Sequence, residues 1–162
     1  MIVIDTSALI AIFRLEPEAD ALLKAIVAAR KRAMSALSVL EASMVMSGAR
    51  GTTGTGVMTK PGVSTRPGAV TGTGLSRELG ESADRFEPLD AFLIEAGIEI
   101  VPFDAEQAWL AREAFLRFGK GRHKASLNLG DCVSYAAAKA KAAPLLYKGE
   151  DFRHTDLLAV LP

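Results

Sequence analysis

The run MIVIDTSALI, residues Met1–Ile10, decides the fold class of this chain. It opens with a short stretch of apolar side chains, which is typical of a buried strand. Asp5 follows, and a helix is predicted to begin at Thr6, with Asp5 in the position of its cap. A buried strand that passes directly into a helix is the opening unit of an α/β protein.

The same alternation continues along the chain. The remaining predicted strands are residues 33–36, 98–103, 145–147 and 157–160, and the remaining predicted helices are 17–30, one that starts at 38, 104–118 and 131–142. Asp104 is expected to cap its helix, and Pro144 to end the helix before it. The helix over 17–30 is expected to bury one face, which comprises Ala19, Leu22, Leu23, Ile26 and Val27. This order predicts one α/β domain whose mostly parallel sheet lies between helices on both faces.

One segment departs from this pattern. Between Gly48 and Gly80 the chain holds nine of its fourteen glycines, together with seven threonines and two prolines. Such a composition buries too little apolar surface to offset its chain entropy, so a low-complexity, disordered insertion is predicted at about residues 50–82. A phosphate-binding loop would need the pattern GxxxxGK followed by Ser or Thr, which this segment lacks.

Composition narrows the functional classes. The chain has 162 residues, of which 49% are hydrophobic, and a formal net charge of zero, so any nucleic acid would have to bind a local basic patch. Cys132 is the single cysteine, which excludes an intramolecular disulfide and a cysteine-based zinc site. A strand containing Asp5 stands where a signal peptide would begin, and no apolar run approaches the roughly 20 residues of a membrane span. A cytoplasmic protein is predicted.

Three acids, Asp5, Glu41 and Asp131, lie where the chain turns from a strand or loop into a helix. Each has a structural explanation: Asp5 as a helix cap, Glu41 as the partner of Ser38 in a capping box, and Asp131 as an acid favoured by the helix dipole. Together they have another, because the carboxyl ends of parallel strands open onto one crevice. Clustered carboxylates raise one another's pKa unless a cation neutralises them, and an all-oxygen set selects Mg²⁺ or Mn²⁺.

The motifs around these acids resemble those of the PIN-domain ribonucleases, most closely the VapC-type toxins of bacterial toxin–antitoxin pairs. They are IVIDTSAL at the start, SVLEA around Glu41, NLGDCVSYA around Asp131 and KGEDF around Asp151. The resemblance implies a PIN-like three-layer sandwich and a metal-dependent endoribonuclease that cuts RNA with metal-activated water. It implies that Asp5, Glu41 and Asp131, with Asp151 as a fourth acid, hold Mg²⁺ or Mn²⁺, and that Thr6 helps to orient the first acid. The implied partners are RNA, a second copy of the chain and a small VapB-like antitoxin.

Asn128 and a run of basic residues before Asp131 each have two possible roles. Asn128 either hydrogen-bonds within the site or caps the Asp131 helix. The one dense basic run could grip RNA phosphates beside the acids or form a solvated loop; it comprises Arg117, Lys120, Arg122, His123 and Lys124. Cys132, Tyr135 and Trp109 are expected to pack in the core.

Three alternatives compete with this hypothesis. A haloacid-dehalogenase-type phosphatase needs a second aspartate two residues after the first, where this chain has Ser7. A response-regulator receiver needs a cluster of acids at its first strand end. A non-catalytic PIN-like module that binds RNA or an antitoxin would share the fold, and a metal titration would distinguish it.

Overall fold

The computed structural model describes residues 1–48 and 86–161. The strands are β1 (Ile2–Ile4), β2 (Arg32–Ser35), β3 (Ile98–Val101) and β4 (Leu145–Leu146). The helices are α1 (Thr6–Phe13), α2 (Ala19–Ala28), α3 (Ala36–Gly48), α4 (described over residues 86–95), α5 (Ala105–Phe118) and α6 (Leu129–Ala140). A short 3₁₀ turn covers Asp151–His154. The predicted insertion lies outside the described residues.

The strands form a parallel sheet in the order β3-β2-β1-β4. The chain proceeds from β1 through β2 to β3 on one side, whereas β4 joins β1 on the other, so the strand order reverses at β1. In open parallel sheets, ligands bind beyond the carboxyl ends of the strands at such a reversal. Asp5 directly follows β1, and the segment that leads to Asp151 follows β4. The topology therefore directs both acids to the edge of the sheet where a ligand is expected.

Alternate residues of each strand point to opposite faces of the sheet and build two separate cores. Val3, in the middle of β1, packs with α5 and α6 in one core, whereas Ile4 packs with α1 to α4 in the other. The strands therefore lie between two helical layers, which confirms the predicted α/β sandwich. None of the described helices is long and apolar enough to cross a membrane.

Several predictions of detail were wrong. α2 buries Leu22 and Ile26, whereas Leu23 and Val27 are 40% and 69% exposed. Leu22 and Ile26 are four residues apart and lie on one face of the helix, and this narrow face alone packs against the core. Trp109 is 63% exposed on α5. Residues 157–160 form only an isolated bridge, from Ala159 to Leu145, instead of a strand.

Two helix starts also differ from the prediction. α3 begins at Ala36, so Ser38 lies inside the helix and is not its cap. α6 begins at Leu129, directly after Asn128, and Asp131 is its third residue. Asp104 caps α5 as predicted, since its side chain accepts a hydrogen bond from the Gln107 amide.

Candidate metal centre

Asp5 is buried at the start of α1, with 3% of its surface exposed. It caps the helix: its Oδ2 accepts hydrogen bonds from the Ser7 amide at 2.8 Å and from the Ser7 hydroxyl at 2.5 Å. Both donors converge on one carboxylate oxygen. Within the described part of the chain the other oxygen, Oδ1, accepts no hydrogen bond, so the cap leaves half of the carboxylate available to a ligand.

Glu41 reaches the same place from α3. The buried Thr6 hydroxyl lies 2.7 Å from Glu41 Oε2 and 3.2 Å from the Ser38 carbonyl oxygen. Thr6 thus contacts the second acid, whereas the resemblance assigned it to the first. The capping box, one of the two explanations considered for Glu41, is absent, because Ser38 lies inside α3. The Ser38 hydroxyl instead lies 3.2 Å from the Ser134 hydroxyl, and this buried pair joins α3 to α6.

Asp131 and Asn128 form a reciprocal capping box at the start of α6. Asn128 Oδ1 accepts from the Asp131 amide at 3.1 Å, and Asp131 Oδ2 accepts from the Asn128 amide at 2.8 Å. Capping, one of the two roles considered for Asn128, is thereby confirmed.

Gly130 brings α6 and Glu41 into close contact. A Cβ atom at this position would lie 2.5 Å from Glu41 Oε1 and 2.6 Å from Oε2. The Glu41 carboxylate therefore lies against the first turn of α6, where unpaired backbone amides favour a negative charge. Only glycine leaves room for it there.

The acids act on one another electrostatically. Burial raises the pKa of Asp131 to about 6 against the opposing hydrogen bond from the Asn128 amide, and the charges of Asp5, Asp151 and Glu41 raise it further. Asp151 lies in the 3₁₀ turn after β4 and is exposed. Four acids from four separate elements therefore share one electrostatic environment.

The chemistry of this donor set fits a hard divalent cation, because it consists of carboxylate oxygens. Burial raises the pKa of the Cys132 thiol to about 11, so that group is unsuited to act as a thiolate ligand. Within residues 1–48 and 86–161, however, no three acid, histidine or cysteine side chains are arranged to hold an ion as they stand. Asp5, Glu41 and Asp131 are each hydrogen-bonded to a neighbouring donor through one carboxylate oxygen.

The basic residues before α6 fall into two groups, those that contact other side chains or the backbone and those that are exposed. Arg117 donates to Asp156 at 3.2 Å and lies over the Phe118 ring, so it helps to hold the segment around Asp156 against α5. Arg122 lies over the Phe115 ring, and His123 Nδ1 accepts from the Ala125 amide at 3.1 Å. Lys120 and Lys124 are exposed.

Sequence reasoning missed Ser7 and Gly130. Ser7 was noticed only as the residue that argues against a dehalogenase, although a serine two residues after an aspartate is well placed to hydrogen-bond it. Gly130 stands at the second position of a helix, where glycine is unfavourable, and that was an available signal for a close approach.

Comparisons with known proteins agree with this architecture. A family model described as the PIN domain matches residues 2–158. Ribonuclease VapC of Mycolicibacterium smegmatis is 42% identical over 158 residues, which cover 98% of each chain. Ribonuclease VapC30 of Mycobacterium tuberculosis is 39% identical over 158 residues, which cover 98% of this chain and 97% of that protein.

Solved structures share the fold at lower identity. VapC20 of Mycobacterium tuberculosis, described as a sarcin–ricin loop cleaving toxin, superposes with a TM-score of 0.63 at 14% identity and full coverage of both chains. VapBC2 of Rickettsia felis, bound to a DNA fragment from its promoter, gives 0.60 at 18% identity, covering 98% of this chain and 97% of that one. The present chain belongs to the PIN-domain family and, within it, to the VapC proteins.

Proposed function

We propose that this protein is a metal-dependent endoribonuclease, the toxin of a toxin–antitoxin pair. The observation that carries the proposal is the convergence of acids beyond the carboxyl ends of the strands, where Asp5 directly follows β1. Glu41, held by the Thr6 hydroxyl, lies against Gly130 in the turn of α6 that carries Asp131. Relatives at 39–42% identity over nearly the whole chain are named VapC ribonucleases, which supports RNA as the substrate.

Asp5, Glu41, Asp131 and Asp151 would hold Mg²⁺ or Mn²⁺. When bound, the cation would activate water and stabilise the charge that develops on the phosphodiester. The chain itself supplies the positioning: Thr6 fixes one oxygen of Glu41, and Asn128 fixes one oxygen of Asp131. Pre-positioned carboxylates matter because displacements of about 1 Å in an active site can cost about 100-fold in rate.

The loop before α6 is the proposed contact for RNA phosphates. Lys120, Arg122 and Lys124 are exposed there, directly ahead of Asn128 and the acids of the site. Arg117 and His123 belonged to the same prediction, but their contacts with Asp156 and Ala125 give each a structural role as well. Replacing Lys120 and Lys124 by Gln should therefore weaken RNA binding and reduce its dependence on salt.

A second copy of the chain is the proposed occupant of an exposed apolar surface on α3, α5 and α6. Leu129 is 81% exposed between two open cavities of about 520 and 470 Å³, one bordered by Leu116 and the other by Met44. Large exposed apolar patches mark interaction sites. Light scattering should show a dimer that Leu129→Arg converts to a monomer; a monomeric wild type would refute this assignment.

A VapB-like antitoxin is the second proposed protein partner. Solved relatives of the same fold are described as toxin–antitoxin complexes, including one from Klebsiella pneumoniae and VapBC2 from Rickettsia felis. Co-expression with a VapB-like antitoxin that binds this chain should yield a complex that lacks RNA cleavage.

The deciding experiment is RNA cleavage by purified protein with Mg²⁺ or Mn²⁺, with and without chelator. Asp5→Asn should abolish cleavage. Asp20→Asn is the matched control, because Asp20 is an exposed acid of α2 whose one ion pair within the described residues is with Lys24. Retained cleavage in chelator or in Asp5→Asn would refute the metal mechanism. A folded protein that binds neither metal nor RNA would refute the proposal, and metal-free RNA binding without cleavage would favour the non-catalytic alternative.

A further inference from the structure

Ser7 links two acids of the candidate site that are far apart in sequence. Its hydroxyl lies 2.5 Å from Asp5 Oδ2 and 3.0 Å from the backbone nitrogen of Lys148. Lys148 follows β4 and precedes Asp151 by three residues. The Ser7 side chain thus stands between the carboxylate at the end of β1 and the segment that carries the fourth acid.

The direction of these hydrogen bonds follows from the chemistry of the groups. A backbone amide can only donate, so the Ser7 oxygen accepts from Lys148. The single Ser7 proton is then directed to Asp5, where it makes a charge-assisted hydrogen bond. The chain of donors therefore runs from the Lys148 amide through Ser7 to Asp5, and neither link can reverse without breaking the other.

The Lys148 segment is held from two sides. Its side-chain Nζ forms ion pairs with Glu16 and Glu18 in the connection between α1 and α2, the second at 3.2 Å. Gly149 follows with φ of +107°, a conformation that L side chains rarely adopt, so the chain turns sharply there. The Ser7 hydrogen bond therefore acts on the fixed end of the turn that leads to Asp151.

We infer that Ser7 is a positioning residue of the metal centre, one that orients the Asp5 carboxylate and sets its distance from the Asp151 turn. The inference rests on the proposed function. The Ser7 amide and hydroxyl both donate to Oδ2 of Asp5, so this oxygen is held and Oδ1 is left for the cation. Removing a residue that hydrogen-bonds a metal-ligating side chain, without contacting the ion itself, commonly lowers metal affinity by about 10–100-fold.

The test is Mn²⁺ binding to the full chain without RNA, measured by titration calorimetry. Ser7→Ala should weaken binding by about 10-fold or more. Ser7→Thr retains the hydroxyl that donates to Asp5. Its Mn²⁺ affinity should therefore lie within about 3-fold of wild type. Ser43→Ala is the matched control, since Ser43 lies in α3 and its hydroxyl donates to the Val39 carbonyl oxygen at 2.9 Å, its one hydrogen bond among residues 1–48 and 86–161. It should leave binding unchanged.

Hydrogen exchange of the Lys148 amide supplies a second readout in the metal-free protein. Exchange should be slow in wild type and in Ser7→Thr, and fast in Ser7→Ala. Should Ser7→Ala fail to fold, Ser7→Cys replaces it, because a thiol keeps the volume but donates weakly.

The outcomes separate the inference from the proposed function. Faster exchange at Lys148 in Ser7→Ala with wild-type Mn²⁺ affinity would show a purely structural role and overturn the inference alone. Equal Mn²⁺ binding by wild type and Asp5→Asn, or none by either, would overturn the proposed site and the inference with it. Weakened binding in Ser7→Ala, rescued in Ser7→Thr, would establish it.

Discussion

Replacing Gly130 by alanine should separate the stability of this protein from its activity. The added Cβ would lie 2.5 Å from Glu41 Oε1, whereas ordinary contact begins at 3.4 Å, so the carboxylate must retreat by about 0.9 Å. The colliding atoms are the tip of a flexible side chain, so the backbone need not move. Alanine also favours a helix over glycine by up to about 1 kcal/mol. We therefore expect unchanged or slightly raised stability.

The same displacement should impair the metal centre. A shift of nearly 1 Å moves Glu41 away from the Thr6 hydroxyl that now lies 2.7 Å from it. Displacements of this size can cost about 100-fold in rate, and we expect a loss of about 10–100-fold in Mn²⁺ affinity and in RNA cleavage. Urea unfolding, Mn²⁺ titration and a cleavage time course measure the three quantities.

Gly48→Ala is the matched control, because it also places alanine in a helix but meets no atom of the described part of the chain within 4 Å. In a Glu41→Ala background the Gly130 substitution should have little further effect on Mn²⁺ affinity, since the clashing group is gone. Wild-type metal affinity and cleavage in Gly130→Ala would refute the argument that Glu41 acts from its place against α6. A large loss of stability would show that the backbone, and not the carboxylate, absorbs the collision.

Three further predictions concern pH and reactivity. The pKa of Asp131 is raised from its ordinary 3.8 to about 6, so the metal-free protein should lose stability as the pH rises through that window. Urea unfolding in chelator should find Asp131→Asn more stable by about 1–3 kcal/mol near pH 7.5, with the difference gone below about pH 3, where the carboxyl is protonated in both states. Asp156 behaves oppositely: burial alone would raise its pKa, but hydrogen bonds from Tyr135 and Lys139 outweigh burial and lower it. Its contribution, about 1 kcal/mol because it is partly solvent-screened, should be present at neutral pH and vanish as the pH falls below about 4, so Asp156→Asn should destabilise only above that range. The Cys132 thiol, with a pKa raised to about 11 by burial, should resist alkylation at about pH 8 until the protein unfolds.

Features set by neighbours in sequence could be predicted. The strand before Asp5 and the cap at Asp104 each depend on a few consecutive residues, and the structure places both as expected. Capping by Asn128 was one of two roles considered from the sequence, and the structure confirms it. The parallel sheet followed from the alternation of strands and helices, because parallel strands need long crossover connections.

Features set by tertiary contacts could not be predicted. Trp109 lies on the outer side of α5, where its ring packs under Arg112 at 4.4 Å instead of entering the core. The hydrogen bond between Ser7 and Lys148 joins positions 141 residues apart. The fit of Glu41 against Gly130 depends on how α3 and α6 pack, and no local pattern encodes that register.

The capping and metal-binding explanations of the acids, which compete at the level of sequence, are compatible in the structure because they use different oxygens. The recorded hydrogen bonds of Asp5 and Asp131 within the described residues all fall on Oδ2, and that of Glu41 falls on Oε2. One oxygen of each acid therefore holds it in place while the other remains for a ligand. This division also offsets part of the cost of gathering negative charges before any cation arrives, since each charge keeps a donor. An amide in place of any one carboxylate retains an accepting oxygen for the cap and loses the charge. Loss of metal binding in Asp5→Asn or Asp131→Asn should consequently occur in a folded protein, which makes these variants informative about chemistry instead of stability.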